Sequence, residues 1–222
     1  MSIQSKINEI KSTLPDNVRL VAVSKYHPAE MIQEAYDGGQ RVFGESHVQE
    51  VLQKVNVLPK DIEWHFIGHL QTNKVKQLLP HVSMIHSVDS LKLIKEIEKQ
   101  AEKIEKEVNI LLQLHVAQEE TKFGWTIDEA EDLLASNVLA DFPHIHVVGI
   151  MCMASNVDDE KQIADEFETA RMFFTHAKEV YFKDKPEFRE CSMGMSHDYL
   201  IAIEHGSTLI RVGSKIFGQR VY

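Results

Sequence analysis

The sequence predicts one (β/α)8 TIM barrel that spans residues 1–222 as a single domain. Three observations support this fold class: short apolar runs alternate with amphipathic segments, the alternation repeats eight times, and no long linker or low-complexity stretch interrupts it. A doubly wound open sheet produces the same alternation. Eight strand-helix units within 222 residues favour the closed barrel.

The strands are predicted where short apolar runs rich in β-branched residues occur. The fifth run is the clearest of them, and the second and seventh are short. In chain order the runs read RLVAVS, QRVFG, EWHFIG, SMIHSV, VNILLQLHV, IHVVGIMCM, FRECSM and TLIRVG.

The helices are predicted where apolar residues recur every three to four positions. The opening MSIQSKINEI has the pattern of a surface helix and lacks the apolar run of a signal peptide. The helix after the first strand ends in two glycines, which are typical of a helix C-terminus. The segments after strands one to seven read AEMIQEAYDGG, SHVQEVLQKV, TNKVKQLL, SLKLIKEIEKQAEKIEKE, TIDEAEDLLAS, DDEKQIADEFETARMFFTHAKEVYF and HDYLIAIEHG.

The charge balance narrows the classes of partner. A formal net charge of −10 argues against broad binding of nucleic acid and against docking on anionic membranes. A small anionic ligand stays open, because a phosphate site is local and often built from backbone N–H groups. Two cysteines are too few for a disulfide framework, and no stretch approaches the roughly 20 apolar residues of a membrane span. We therefore expect a cytoplasmic protein.

Lys25 is the most informative residue for chemistry. In a barrel of this class, the reactive groups lie in the loops at the carboxyl ends of the strands, and Lys25 directly follows the apolar run 20–23. Apolar walls disfavour its ammonium and expose an amine that can form a Schiff base with an aldehyde. The ordinary alternative is a lysine that extends its ammonium from a strand end into water.

Two loops rich in glycine and serine predict an anion site. SMGMSHD follows the seventh strand and RVGSKIFG follows the eighth, which is the usual phosphate-binding position in such barrels. Ser196 is predicted to cap the helix after strand seven, whose positive end suits an anion. Arg211 is expected to hydrogen-bond a ligand ring or to pair with Glu45. Ordinary tight turns, which need glycine for their conformation, are the alternative.

The histidines do not predict a metal site. His65 and His69 are four residues apart at a strand end rather than on a helix face, and His144 and His146 have no third ligand nearby. With 12 histidines in the chain, such pairs arise by chance. No Ser-His-Asp elbow, nucleotide-binding loop or cysteine-histidine cluster occurs.

Several motifs spread over almost the whole chain point to one family. They read AVSKYHP, FGESHVQE, WHFIGHLQTNK, KFG, GIMCMAS and SMGMSHDYLIAIEHGSTLIRVGSKIFG. Together they resemble the pyridoxal phosphate homeostasis protein family. The resemblance implies a barrel like the N-terminal domain of alanine racemase, without the C-terminal β-domain of that enzyme. It also implies that pyridoxal 5′-phosphate is held as a Schiff base on Lys25.

The resemblance further implies which residues surround the cofactor. Arg211 would lie near the pyridine ring, His69 at the barrel mouth and Met151 at the end of strand six. Family members usually have asparagine where this chain has Ser46, whose shorter hydroxyl can still hydrogen-bond through water. Lys122 matches a loop lysine for a second cofactor molecule. The phosphate would contact Ser192, Met193, Gly194, Ser196, Gly213 and Ser214.

The implied function is storage, buffering or delivery of pyridoxal 5′-phosphate by a monomer without established catalysis, with apo-enzymes that need this cofactor as further partners. An amino-acid racemase is the alternative. Racemases of the related fold take a second base, a tyrosine, from a C-terminal domain, and this chain ends soon after strand eight, leaving Tyr26, Tyr199 and Tyr222 as candidates. A cofactor-free aldolase is a third interpretation, because a phosphorylated substrate could use the same loops.

Overall fold

Eight parallel strands close into a barrel, which confirms the predicted fold class. The computed structural model describes residues 2–118 and 123–219. Each strand pairs with the next along the chain, and the eighth closes on the first with Leu209 opposite Arg19. The strands are β1 (Arg19–Val23), β2 (Val42–Glu45), β3 (Glu63–Phe66), β4 (Met84–Val88), β5 (Val108–Leu114), β6 (Ile145–Cys152), β7 (Glu190–Ser192) and β8 (Leu209–Val212).

Helices connect successive strands, and two further helices precede β1 and follow β8. They are α1 (Ile3–Ser12), α2 (Ala29–Asp37), α3 (Val48–Val57), α4 (Val75–Leu78), α5 (Leu91–Lys103), α6 (Ile127–Ala135), α7 (Glu160–Val180), α8 (Tyr199–Glu204) and α9 (Ser214–Phe217). Thr72–Lys74, Leu79–His81 and Val138–Asp141 are 3₁₀ turns. Every predicted helix is present, but α9 follows strand eight without having been predicted. Within the described ranges, no helix has both the length and the apolar character to cross a bilayer.

Two apolar clusters fill the molecule. The larger one lies between the strands and the helices and includes Ile32, Phe43 and Phe167, each fully buried. The smaller one fills the barrel interior and consists of Val21, Met84, Leu111, Val148, Met151 and Leu209. Because side chains alternate across a strand, neighbouring residues of one strand divide between these two clusters.

Gly149 marks the point where β6 changes its register against β5. The pairing steps from Ile110 opposite Val147 to Leu111 opposite Gly149, so β6 carries an extra residue there. A Cβ atom built on Gly149 would lie 1.7 Å from the carbonyl oxygen of Glu190 on β7. Only glycine therefore allows β6 and β7 to approach at this position.

We expect Gly149→Ala to lower the free energy of unfolding by about 3 kcal/mol or more, because the added methyl group must push β7 away. Gly39→Ala is the matched control, since its Cβ would meet nothing within 4 Å and only its φ of +91° opposes the change. That control should lose about 1 kcal/mol. Urea unfolding followed by circular dichroism measures both variants, and equal losses would contradict the close approach of β6 and β7.

Candidate functional site

A cavity of about 210 Å³ lies at the carboxyl ends of β1 and β8. The predicted site requires the Lys25 amine to lie close to the loops after strands seven and eight. Lys25 and residues of both loops line this one cavity. Apolar side chains and His197 complete its wall, namely Val23, Ile67, Met153, Met195 and His197. The predicted residues that line it are Lys25, Ser196, Arg211, Gly213 and Ser214.

The turn that carries Lys25 has an unusual backbone. Tyr26 has a φ of +66°, in the left-handed region that costs a residue other than glycine about 1 kcal/mol. The conformation is held from α3, where the Glu50 carboxylate accepts the Tyr26 N–H at 2.7 Å. On the other side of Lys25, the carbonyl of Ser24 accepts a hydrogen bond from Lys54 at 2.9 Å. The backbone is therefore tied on both sides of Lys25.

A buried ion-pair network lies directly behind this turn. The Lys54 ammonium donates to Glu45 at 2.7 Å and to Glu50 at 2.8 Å. The Ser24 hydroxyl donates to the same Glu45 oxygen at 2.6 Å. Burial raises the pKa of Glu45 to about 7, and the Lys54 charge opposes that rise. The Lys54 ammonium thus compensates a carboxylate that is fully removed from water.

Arg211 is a buried cation beside the cavity. Its guanidinium donates to the carbonyl oxygens of Ser192 and Cys152, each at 2.8 Å, and to the Ser192 hydroxyl at 2.6 Å. All of these acceptors are neutral. Of the two alternatives predicted for Arg211, a ligand ring or Glu45, the pairing with Glu45 is wrong, because the alternation of side chains along β2 directs Glu45 outward to α3. A buried guanidinium whose hydrogen-bond acceptors are neutral can interact with an electron-rich ligand in the adjoining cavity, and the Asp198 carboxylate adds a negative charge nearby.

A line of hydrogen bonds continues from Arg211 through the barrel interior. Ser192 Oγ lies 3.0 Å from Nδ1 of His86, and Nε2 of His86 lies 2.9 Å from Nδ1 of His65. Burial lowers the pKa of His65 to about 3 and holds that of His86 well below its usual range. Both imidazoles therefore stay neutral, and they add no positive charge to that of Arg211.

The loops after β7 and β8 are joined to each other. The Ser196 hydroxyl accepts the N–H of Gly213 at 3.2 Å. The prediction that Ser196 caps the following helix is wrong, since α8 begins at Tyr199 with Asp198 at its N-cap position. Asp198 instead accepts the N–H of Met195 at 2.5 Å, and this turn delays the start of the helix. Ser196 is thereby left on the cavity wall.

Two glycines of these loops sit where the backbone is crowded. A Cβ on Gly213 would lie 2.9 Å from the carbonyl oxygen of Val23, and one on Gly194 would lie 2.6 Å from the Cβ of Ala202. Gly194 also has a φ of +90°, which glycine adopts without strain. The loops can therefore lie close to β1 and α8.

Several other predicted site residues lie outside this cavity wall. Ser192 lies beneath Arg211, and Met193 is buried in the outer apolar cluster. Met151 belongs to the inner cluster, whereas Met153, two residues further along, lines the cavity. Lys122 lies outside the described residues.

Ser46 and His69 also lie away from the cavity wall. Ser46 packs against the loop after β3, since a Cβ on Gly68 would lie 2.3 Å from the Ser46 carbonyl oxygen. His69 stacks on Phe123 with ring centroids 4.0 Å apart and has Nδ1 3.2 Å from Asp89. Both residues therefore contribute to the loops around the mouth rather than to the floor of the site.

Lys54 and the two interior histidines were not predicted as part of the site. Lys54 could have been noticed in the sequence, because it stands next to Val51 and Val55 on the apolar face of α3. His65 and His86 carry no such signal, since their contact depends on the register of β3 against β4. No group of three or more histidine, cysteine, aspartate or glutamate residues suited to a metal ion occurs within residues 2–118 and 123–219.

The fold and the site define a class of protein: a (β/α)8 barrel whose mouth combines a lysine, a buried arginine and two loops of small residues. Residues 1–221 match the family model described as alanine racemase, N-terminal domain. The chain belongs to this family and, within it, to the pyridoxal phosphate homeostasis proteins, as the sequence motifs predicted.

The similarity to curated relatives and to a solved structure extends over most of the chain. A pyridoxal phosphate homeostasis protein from Aquifex aeolicus is 38% identical over 92% of this chain and 88% of its own length. One from Vibrio alginolyticus is 36% identical over 100% of this chain and 99% of its own. The structure of PipY from Synechococcus elongatus with PLP bound has a TM-score of 0.87 and 34% identity, and it covers 97% of this chain and 100% of PipY.

We expect acid to destabilise the protein through His65. Its folded-state pKa of about 3 lies below its ordinary value of 6.5, so the unfolded chain binds a proton that the folded chain does not. Stability from this residue is present above about pH 6.5 and is lost as the pH falls towards 3. The free energy of unfolding should fall by about 2 kcal/mol between pH 8 and pH 5 from His65 alone.

Urea unfolding across this pH range measures the effect. His65→Asn should flatten the pH dependence relative to the wild type. Parallel curves for His65→Asn and the wild type would contradict the burial of a neutral imidazole at this position.

Proposed function

We propose that this protein binds pyridoxal 5′-phosphate in the cavity at the carboxyl end of the barrel, with the aldehyde condensed on Lys25, and that it stores, buffers or delivers the cofactor. The observation that carries the proposal is the lining of one cavity by Lys25, Ser196, Gly213 and Ser214. Pyridoxal phosphate carries an aldehyde and a phosphate on one ring, so it needs an amine and an anion-binding loop within one cavity.

The donor set of the cavity fits such a ligand. The first N–H groups of α9, at Ser214 and Lys215, have no acceptor within their helix and suit phosphate oxygens. Ile67, Met153 and Met195 offer apolar contacts for a planar ring. The relative PipY, whose solved structure contains PLP, shares the fold over its full length.

The residues around the ring have separate tasks. The cofactor supplies the electrophilic aldehyde, and Lys25 supplies the amine. Arg211 can only donate hydrogen bonds, so a ring nitrogen beside it would stay an acceptor without a proton. Such a ring withdraws electrons weakly, which favours holding the cofactor over reacting it. Ser192 and the neutral histidines keep the guanidinium of Arg211 in place.

We propose that the protein is not a robust enzyme. Racemisation requires proton-transfer groups on both faces of the ring. Among the described residues, no tyrosine lines the cavity. Tyr26 has its hydroxyl 3.3 Å from His47, and Tyr199 is buried at the start of α8. Tyr222 lies outside the described residues.

The proposal includes a cytoplasmic monomer whose further partners are apo-enzymes that require the cofactor. Two features support it: both cysteines are free and buried, and the exposed large apolar side chains are spread over different helices and loops. Sedimentation of the loaded protein measures its assembly state, and a stable dimer would contradict the monomer.

Lys25→Ala should abolish the visible absorbance that the wild type gains with pyridoxal phosphate, because only an amine in the cavity forms a stable imine there. After borohydride reduction, peptide mass spectrometry should locate the cofactor on Lys25 in the wild type. Lys92→Ala, which changes an exposed lysine of α5, is the matched control and should keep the absorbance. Retention of the absorbance in Lys25→Ala would argue against the proposal.

The loaded protein should reactivate an apo-enzyme even when a phosphatase destroys free pyridoxal phosphate, because the cavity shields the bound cofactor. Free cofactor at the same concentration, treated alike, is the control. The same loaded sample should not interconvert D- and L-alanine. Interconversion at enzyme-like rates would favour the racemase, and a lack of protection from the phosphatase would contradict storage and delivery.

A further inference from the structure

The side chains behind the turn 24–26 do not line the cavity, yet they fix the residue that does. Lys54 reaches from α3 to the Ser24 carbonyl, which precedes Lys25, while Glu50 holds the Tyr26 N–H, which follows it. Lys54 also donates a hydrogen bond to Glu50, so the contacts on the two sides of Lys25 belong to one network. A single network therefore holds the backbone before and after Lys25.

The chemistry of Lys54 separates its role from that of Lys25. Its ammonium donates to the Ser24 carbonyl, to Glu45 and to Glu50, which uses all three of its hydrogens. Its side chain is 8% exposed, and it points to the outer side of the strands. Lys54 is thus placed to orient its neighbour rather than to meet a ligand.

Orientation matters because a lysine side chain is long and rotates freely. An amine reacts with a bound aldehyde in proportion to the time it spends in the right position, so fixing its backbone raises its effective concentration. The left-handed backbone of Tyr26 needs the hydrogen bond to Glu50, since it would relax to a commoner conformation without that bond. A change at Tyr26 would alter the direction in which Lys25 leaves the strand.

We propose that Lys54, Glu45 and Glu50 form a positioning network that directs the Lys25 amine into the cavity. The inference rests on the proposed function, because it concerns the bond between Lys25 and the aldehyde of pyridoxal phosphate. Lys54 holds the Ser24 side of the turn, Glu50 holds the Tyr26 side, and Glu45 anchors Lys54 and the Ser24 hydroxyl to the end of β2. None of the three contributes to the cavity wall.

Comparing the binding of two ligands distinguishes a role of this network in positioning Lys25 from a role in the stability of the fold alone. Pyridoxal 5′-phosphate condenses with Lys25, whereas pyridoxine 5′-phosphate has an alcohol in place of the aldehyde and cannot condense. Glu50→Ala removes the acceptor of the Tyr26 N–H, while Glu45 still pairs with the buried Lys54 ammonium. It should weaken binding of pyridoxal phosphate about tenfold and binding of pyridoxine phosphate less than twofold.

Matched variants complete the comparison. Glu50→Gln keeps an acceptor for the Tyr26 N–H and should restore most of the affinity for pyridoxal phosphate. Gln49→Ala, an exposed neighbour on α3, should bind both ligands as the wild type does. Because Lys54→Met alone leaves the buried Glu45 charge uncompensated, the double variant Glu45→Gln with Lys54→Met tests that side of the network. It should show the same selective loss.

The outcomes separate the inference from the proposed function. Equal losses for both ligands in Glu50→Ala, or no loss for either, would overturn the positioning role. A wild type that binds neither ligand, or that borohydride leaves unmodified at Lys25, would overturn the proposed function and the inference with it. A selective loss that Glu50→Gln reverses supports both.

Discussion

The two-residue period of the β-strand decides which side chains at the barrel rim reach the cavity and which reach the helices. On β1 and its following turn, Val23 and Lys25 line the cavity, while Ser24 between them bonds to Glu45 on the outer side. On β2, Glu45 points to α3 for the same reason. Lys25 and Ser24 are therefore adjacent in the chain, but one side chain lies at the cavity and the other joins the ion-pair network on the opposite side of the barrel wall.

The same wall contains two buried cations, and they are stabilised differently. Lys54 is paired with carboxylates, so its charge is compensated within the protein. Arg211 is held by carbonyl and hydroxyl oxygens, and the neutral histidines beneath it supply no anion. Arg211 faces the cavity, and Lys54 faces the helices.

The fold and the centre of the site could be predicted from the sequence because both depend on local patterns. Apolar periodicity located all eight strands, and the position of Lys25 after the first strand placed it at the rim. Contacts between distant elements could not be predicted. The cavity wall contains Met153 rather than the predicted Met151, because this prediction needed the position of each residue along β6 relative to the cavity. The contacts of Lys54 with Ser24 and Glu45 could not be predicted either, because they join α3 to the ends of β1 and β2.

The composition of the cavity wall supports the proposal that the cofactor is held without turnover. A reaction at the cofactor would need side chains that accept and return protons at the ring, and carboxylates or histidines are the usual choice. Within the part of the chain that the structure describes, no carboxylate lines the cavity, and His197 is its one imidazole. The remaining groups of the wall are the Lys25 amine, the Arg211 guanidinium, which only donates hydrogen bonds, serine hydroxyls, backbone and apolar side chains. Such a wall could orient and shield an aldehyde while offering few routes for a proton, which agrees with the proposed holding of the cofactor.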